Sequence, residues 1–157
     1  MSAHTNITIA AEGRDATADI QQAIDTASAA GGGVVSLLAG RHVSGGLHLK
    51  SGVELHLAQD AVLAPISDYD AYSHTSVSVI AEDSDRAIFV ARDASDIRIG
   101  GPGMIAAGGE AFIDGELRAH GPHLPARHRP RVLVFDGCRN LSLEDLTGLT
   151  SPMWTLP

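Results

Sequence analysis

The side chains best suited to binding or chemistry are grouped between positions 118 and 131 of this sequence. Three histidines and three arginines share an apparent loop there: Arg118, His120, His123, Arg127, His128 and Arg129. Their spacing matches no common zinc pattern, and no cysteine or nearby acid completes a ligand set, so we expect neither a metal nor another cofactor. Guanidinium groups hold planar carboxylates through paired hydrogen bonds. The loop is interpreted either as an anion-binding segment, with Arg127, Arg129 and His123 as candidate binding residues, or as a solvent-exposed loop.

The acidic residues show no arrangement that predicts a catalytic pair. Glu54, Arg98 and Ser142 recur at one spacing of 44 residues, so this register brings together a single acid, a base and a hydroxyl. Asp96 and Asn140 share the spacing but precede strands, where Asp and Asn are typical turn residues. No Ser-His-Asp constellation is visible, and no phosphate-binding loop is followed by a helix. We therefore assign no catalytic residue from the sequence.

One amphipathic helix is predicted near the start of the chain. Its apolar positions follow the spacing of one helix face: Ile20, Ala23, Ile24 and Ala27. Asp15 or Thr17 is suited to accept hydrogen bonds from the first turn. The helix is expected to end at the glycines 31–33, where a left-handed residue is least costly.

From Val34 onward the apolar pattern changes to a period of two, which is typical of short strands. Several of these strands recur at the offset of 44 residues, which is either two solenoid coils or one coil with a long loop. We favour the second interpretation, with loops near 67–86 and 108–130. The pattern predicts an all-β parallel solenoid, and the helix would cover its open end. An antiparallel sandwich is the alternative, but only Asp136-Gly137 offers a hairpin turn between good strands.

Charge and composition exclude several classes of protein. The chain has 19 acidic and 11 basic residues, a net charge of −8, and no basic stripe, so we expect no nucleic-acid partner. No apolar run is long enough to predict a membrane-spanning helix. The single cysteine, Cys138, forms no intrachain disulfide. The N-terminus shows no secretory leader, which predicts a cytoplasmic protein, or a secreted one if a leader has been removed.

The order of several segments resembles a known enzyme family. The stretch from Asp15 to Asp25, running into Gly31-Gly-Gly-Val-Val, resembles the N-terminal cap of pectin-degrading β-helix enzymes. Leu47-His-Leu-Lys-Ser-Gly-Val-Glu-Leu-His-Leu, Ile97-Arg-Ile-Gly-Gly-Pro-Gly and the stretch from Arg129 to Glu144 are similar to glycoside hydrolase family 28, the polygalacturonase family. The resemblance implies a right-handed parallel β-helix, a galacturonan-type polysaccharide as substrate, and hydrolysis with inversion.

The sequence also departs from that family. Its catalytic Asn-Thr-Asp and Asp-Asp motifs and its substrate-binding Gly-His-Gly and Arg-Ile-Lys motifs are missing from residues 1–157. The resemblance places them after Trp154, which is itself a candidate sugar-stacking or core residue. We therefore expect one domain over 1–157, with the helix region in 1–33 and coils in 34–157, that is incomplete at its C-terminal end and inactive alone.

Three further expectations accompany this interpretation. The chain is expected to self-associate through apolar residues of its last coil, Val134, Leu141 and Leu143, or to belong to a longer chain. A non-catalytic β-helix that binds glycans or caps an assembly is one alternative function. A pectate-type polysaccharide lyase is the other.

Overall fold

A computed structural model describes residues 5–78, 84–114 and 124–149. Within these ranges the chain forms one α-helix, α1 (Thr17–Ala29), and two 3-10 helices (Tyr69–Thr75 and Gly109–Phe112). No helix in the described ranges is long and apolar enough to cross a membrane. The strands are β1 (Thr5–Ile9), β2 (Gly33–Leu37), β3 (Gly40–Ser44), β4 (Leu47–His48), β5 (Val53–Leu57), β6 (Ala61–Pro65), β7 (Ala87–Arg92), β8 (Ser95–Gly100), β9 (Met104–Ala106), β10 (Ile113–Asp114), β11 (Leu124–Pro125), β12 (Arg131–Asp136), β13 (Arg139–Glu144) and β14 (Thr147–Leu149).

The strands stack into three parallel sheets, each of which takes one strand from successive coils. The first sheet has the order β1-β2-β5-β8-β13, the second β3-β6-β9-β14, and the third β4-β7-β12. Only the short pair β10–β11 is antiparallel among the described strands. The predicted solenoid is therefore confirmed at the level of parallel sheets, and the antiparallel sandwich is wrong.

The register explains the spacing of 44 residues seen in the sequence. On the first sheet Leu55 pairs with Ile99 and Ile99 with Leu143, whereas Val35 pairs with Leu55 over a much shorter stretch of chain. The second coil is long because an insertion that contains the first 3-10 helix lies between β6 and β7; we call it the first insertion. The third coil carries the second insertion, which lies between β9 and β12. One coil plus a long loop is thus the correct interpretation of the offset.

The core is a set of stacked aliphatic columns inside the three sheets. The column of Val35, Leu55 and Ile99 is fully buried, and so is the pair of Leu47 and Phe89 on the third sheet. Branched and linear aliphatic side chains at alternate strand positions fill such thin layers without large aromatics. The scarcity of aromatic residues in the sequence follows from this arrangement.

Helix α1 lies against the first coils as its apolar pattern predicts. Its four predicted core residues are all buried: Ile20, Ala23, Ile24 and Ala27. Asp15 accepts from the backbone N–H of Thr17 at 2.8 Å, while the Thr17 hydroxyl accepts from the N–H of Gly45 at 2.7 Å. Asp15 therefore holds the first turn, and Thr17 instead ties the helix to the chain after β3.

The side chain of Gln21 fastens the helix to the edge strand of the third sheet. Its Oε1 accepts from the backbone N–H of His48 at 2.8 Å, and its Nε2 donates to the His48 carbonyl at 3.0 Å. The amide satisfies both backbone groups of an edge residue, as a neighbouring strand would. Closure of the solenoid end by this helix stays an interpretation.

A pair of left-handed turn residues stacks where successive coils enter the first sheet. Asp96 and Asn140 have φ angles of 58° and 54°, a region that Asp and Asn tolerate better than most residues. The Asn140 amide donates to the Asp96 carboxylate at 2.9 Å. This hydrogen bond, helped by the Ser95 hydroxyl, holds the pKa of Asp96 below its ordinary value of 3.8.

Replacing Asn140 with Gly should lower the free energy of unfolding by a larger amount at neutral pH than in acid. Gly keeps the left-handed backbone and removes the amide. A carboxyl with a lowered folded-state pKa contributes stability above about pH 3.8, and this contribution is lost as the pH falls through the folded-state pKa. Denaturant unfolding at pH 7 and pH 2.5 measures the difference. As a control, Asn140→Gly is also introduced into the Asp96→Asn variant. If Asn140→Gly were still more destabilising at pH 7 than at pH 2.5 in that variant, the account would be contradicted.

Candidate functional site

The outer face of the first sheet carries a row of polar and charged side chains that contact one another. Arg98 contacts Glu144 at 3.0 Å and Glu54 at 3.9 Å, and Glu54 contacts the His56 imidazole at 3.1 Å. Gly100 leaves the space that the Arg98 guanidinium occupies, because a Cβ there would lie 3.2 Å from Arg98 Nε. The predicted register of Glu54 and Arg98 is confirmed, and it produces a row of two carboxylates around one guanidinium, which leaves no cation unpaired for an acidic ligand.

The registers of the parallel strands also bear on the prediction that no catalytic acid pair is present. An inverting glycosidase needs two carboxyls about 6.5–9.5 Å apart, which a β-helix supplies from acids on neighbouring coils. In the described strands no register position pairs two acids across adjacent coils: Glu54 faces Val34 and Arg98, Asp136 faces Arg92, and Glu144 faces Gly100. The arrangement alone does not supply that chemistry.

The two insertions pack on each other beside the third sheet. Ser84 from the first insertion is fully buried; its hydroxyl accepts from the N–H of Arg129 at 3.2 Å and donates to the Arg127 carbonyl at 3.4 Å. The Tyr69 ring lies 5.6 Å from the His128 ring. The predicted loop is therefore anchored where it is described, between Ala126 and β12.

An aromatic and ionic cluster strengthens the first insertion. The Arg86 guanidinium lies 4.5 Å over the Tyr69 ring and donates to the Asp70 carboxylate at 2.8 Å. The Tyr69 hydroxyl donates to Asp85 at 2.9 Å. Burial first, and then the bond to Asp85, raise the pKa of Tyr69, so the phenol stays protonated and serves as a donor.

Two of the four predicted binding residues, Arg127 and Arg129, lie in the part of the chain that the structure describes. Arg127 is exposed and Arg129 is half-buried, and the Arg129 guanidinium donates to the Ala126 carbonyl at 2.7 Å. Both precede β12 and lie at the end of the third sheet where its parallel strands begin. His123 and Trp154 lie outside the described residues. In the same described ranges, no group of three metal-ligating side chains occurs.

The outer face of the third sheet is apolar in the middle. Val90 pairs with Val134 on the next coil, and both pack with Ala87 and with Val77, which the first insertion lays over the sheet. At the ends of these strands Arg92 pairs in register with Asp136, and both are exposed. Arg92 and Asp136 were not predicted as site residues from the sequence, although they share the offset of 44 residues.

Comparison with solved structures identifies proteins of the same fold. A candidate glycosyl hydrolase from Parabacteroides merdae superposes with a TM-score of 0.75 at 23% identity, over 96% of this chain and 69% of its own. The polygalacturonase from Erwinia carotovora gives 0.73 at 21% identity, over 96% of this chain and 43% of its own. An exopolygalacturonase from Thermotoga maritima gives 0.73 at 21% identity, over 98% of this chain and 44% of its own.

The likeness is one of structure rather than of sequence. No protein-family model matches the chain, and no curated protein matches it. The chain spans less than half the length of the two polygalacturonases. Over almost all of its length, this protein has the fold of the polygalacturonases.

Proposed function

We propose that this chain is the substrate-binding part of a polygalacturonase-like glycoside hydrolase, and that its sugar-binding face is the outer face of the third sheet. The observation that carries the proposal is the fold, which is shared with polygalacturonases over 96% and 98% of the chain. The two insertions border this one face, and Arg127 and Arg129 lie beside it. A chain with a net charge of −8 needs such local cations to hold an acidic polysaccharide.

Isothermal titration with matched sugar trimers tests the proposal. An α-1,4-linked galacturonate trimer differs from the corresponding galactose trimer only in the carboxylate at C6. We expect the chain to bind the acidic trimer more tightly, and to lose this preference as salt is raised, because ionic contacts near the surface are screened. Equal binding of both trimers, or tighter binding of the galactose trimer, would reject the proposal.

The 157-residue chain should bind galacturonan without cleaving it. The registers of the described strands pair no two acids on neighbouring coils, which is the arrangement by which a β-helix would hold a general acid and a base on either side of a glycosidic bond. Reducing-end assays with polygalacturonate should give the rate of the buffer blank. Release of reducing ends above the blank by the purified chain would contradict this prediction.

Two apolar residues of β13 are poorly covered, and we propose that a further coil or a second copy of the chain covers them. Leu141 and Leu143 are 39% and 40% exposed, although their register partners Ile97 and Ile99 are 2% and 0% exposed. Val134, expected in the same group, is instead partly buried against Val77 and Val90.

Sedimentation velocity tests whether this strand associates. The chain should show a mass that rises with concentration, and Leu141→Glu combined with Leu143→Glu should shift it to monomer, because charge on an apolar contact opposes its burial. Arg139→Glu, exposed on the same strand, serves as a control that adds acid outside the apolar pair. A monomer at all concentrations would contradict association of this chain with itself.

A non-catalytic glycan-binding β-helix is the second candidate function, because no paired acids occur in the described ladders. It predicts the same binding as the hydrolase. The two differ in a longer natural chain, where an acid pair and turnover of polygalacturonate would favour the hydrolase. Calcium-dependent formation of unsaturated products would instead favour the lyase.

A further inference from the structure

A groove crosses the outer face of the third sheet at the ends of β7 and β12, opposite the end that Arg127 and Arg129 flank. It has a volume of about 370 Å³, and its lining combines one insertion with two strands: Val77, Ser78, Arg92, Val134, Phe135 and Asp136. This volume falls at the small end of the range of about 300–1,000 Å³ typical of ligand pockets. The size suits a sugar unit rather than a large ligand.

The apolar part of the lining is held rigidly by the first insertion. The Val77 N–H donates to the Asp85 carbonyl at 2.6 Å, and its side chain is 6% exposed beside Val90 and Val134. Val134 remains partly exposed, so apolar surface faces the groove. Such a surface suits the C–H face of a pyranose ring, which is buried with little loss of hydrogen bonding.

The charged part of the lining is a guanidinium fixed in place. Arg92 Nη2 donates to the Ser76 carbonyl at 2.5 Å, just before Val77. Within the described residues this is the single hydrogen bond of the Arg92 side chain, and no described acid lies within ion-pair distance of it. The remaining N–H donors are therefore available for a ligand, and the fork of a guanidinium matches a carboxylate.

Asp136 is the second charged side chain of the groove, and its negative charge offsets the positive charge of Arg92. It pairs with Arg92 in the parallel register, about one rung of 4.8 Å away. Its carboxylate can accept only from donors, such as ring hydroxyls. A hexuronate carries a carboxylate on one side of its ring and hydroxyls on the other, so one unit offers a matching group to each of the two side chains.

From this lining we infer that the groove formed by Val77, Arg92, Val134 and Asp136 is a subsite for one uronate unit of an acidic polysaccharide. Arg92 binds the C6 carboxylate, Asp136 accepts from ring hydroxyls, and the valines contact the ring. The inference rests on the proposed function and adds a specificity-determining residue, Arg92, away from the loop of Arg127 and Arg129. Arg92 would distinguish uronate from neutral galactose.

Titration of the two trimers into variants of the full 157-residue chain tests the subsite. Arg92→Gln should weaken binding of the galacturonate trimer about tenfold or more, the size expected for a lost charge-assisted contact, and leave the galactose trimer unchanged. Arg92→Lys keeps the charge but loses the fork, and should fall between the two. Arg41→Gln removes an exposed arginine from the second sheet and should change neither affinity.

If Arg92→Gln binds the galacturonate trimer as tightly as the unaltered chain, or weakens both trimers equally, the uronate subsite is rejected. If Arg41→Gln weakens binding as much as Arg92→Gln, the effect is one of general charge and the subsite is also rejected. A preference of the unaltered chain for the acidic trimer would keep the proposed function in these cases, whereas absence of that preference rejects both.

Discussion

Gly101→Ala is expected to destabilise the chain by more than about 3 kcal/mol, because the new methyl group combines backbone strain with a clash. Gly101 has a φ of 101° and lies in the turn between the first and second sheets. A Cβ at this position would lie 2.3 Å from the Leu57 carbonyl oxygen on the preceding coil. That oxygen accepts from the N–H of Gly103 at 3.0 Å, so moving it also weakens a contact between coils.

Gly31→Ala provides the matched control. Gly31 follows helix α1 with a φ of 92°, but a Cβ there would meet nothing within 4 Å. This variant has the backbone cost alone, about 1–2 kcal/mol. Urea unfolding followed by circular dichroism measures both. Equal destabilisation by Gly101→Ala and Gly31→Ala would show that the coils do not approach each other closely at this turn.

Leu55→Ala should cost about 2–5 kcal/mol, since it removes a fully buried side chain from the middle of a core column. Leu55 stacks between Val35 and Ile99, one on each neighbouring coil. The cavity left behind is lined on both sides by aliphatic groups that cannot close it without moving two rungs. Because domains of this size have a total stability of about 5–15 kcal/mol, a large share is lost.

Leu143→Ala is the control for this second variant, because it removes the same side chain from the same column. Leu143 stacks on Ile99 but is 40% exposed, so its truncation should cost less than about half as much. The free energies of unfolding in urea again give the comparison. If Leu143→Ala proved as costly as Leu55→Ala in the isolated, monomeric chain, the stacking order would be wrong.

The alternation and the offset of 44 residues were sufficient to predict every strand of the first and third sheets except β1. Buried Leu55, Ile99 and Leu47 alternate with outward residues, and a side-chain period of two is a strong signal of this geometry. Asp96 and Asn140 were predicted as turn residues, and both adopt left-handed backbone conformations. The helix was equally legible, since its four apolar residues occupy one face.

The second sheet was harder to predict because its strands do not alternate cleanly. Strand β3 contains Arg41 and buries His42, which is 1% exposed and lies with Nε2 2.7 Å from the Leu38 carbonyl. A buried histidine interrupts the aliphatic pattern on which sequence reasoning depends. Strand β1 was also not predicted, because it lies before the helix and its apolar residues, Ile7 and Ile9, are only partly buried.

The candidate site depends mostly on contacts that no sequence period encodes. Ser84 joins the two insertions through backbone groups of Arg127 and Arg129, and these contacts follow from loop conformation. The groove at Arg92 is different, since Arg92 and Asp136 share the repeat offset. A comparison of all charged residues that are 44 positions apart would have found this pair. It would not have shown that Val77 packs over the outer face of the third sheet.

Methyl-resolved NMR titration of the 157-residue chain with the galacturonate trimer tests most directly whether the third sheet is the sugar-binding face. Val77 and Val134 line the groove, whereas the partly exposed Val34 and Val62 lie on the first and second sheets. We predict saturable shifts of the Val77 and Val134 methyl signals, with those of Val34 and Val62 unchanged. Saturable shifts centred on Val34 or Val62, with Val77 and Val134 unmoved, would contradict the account.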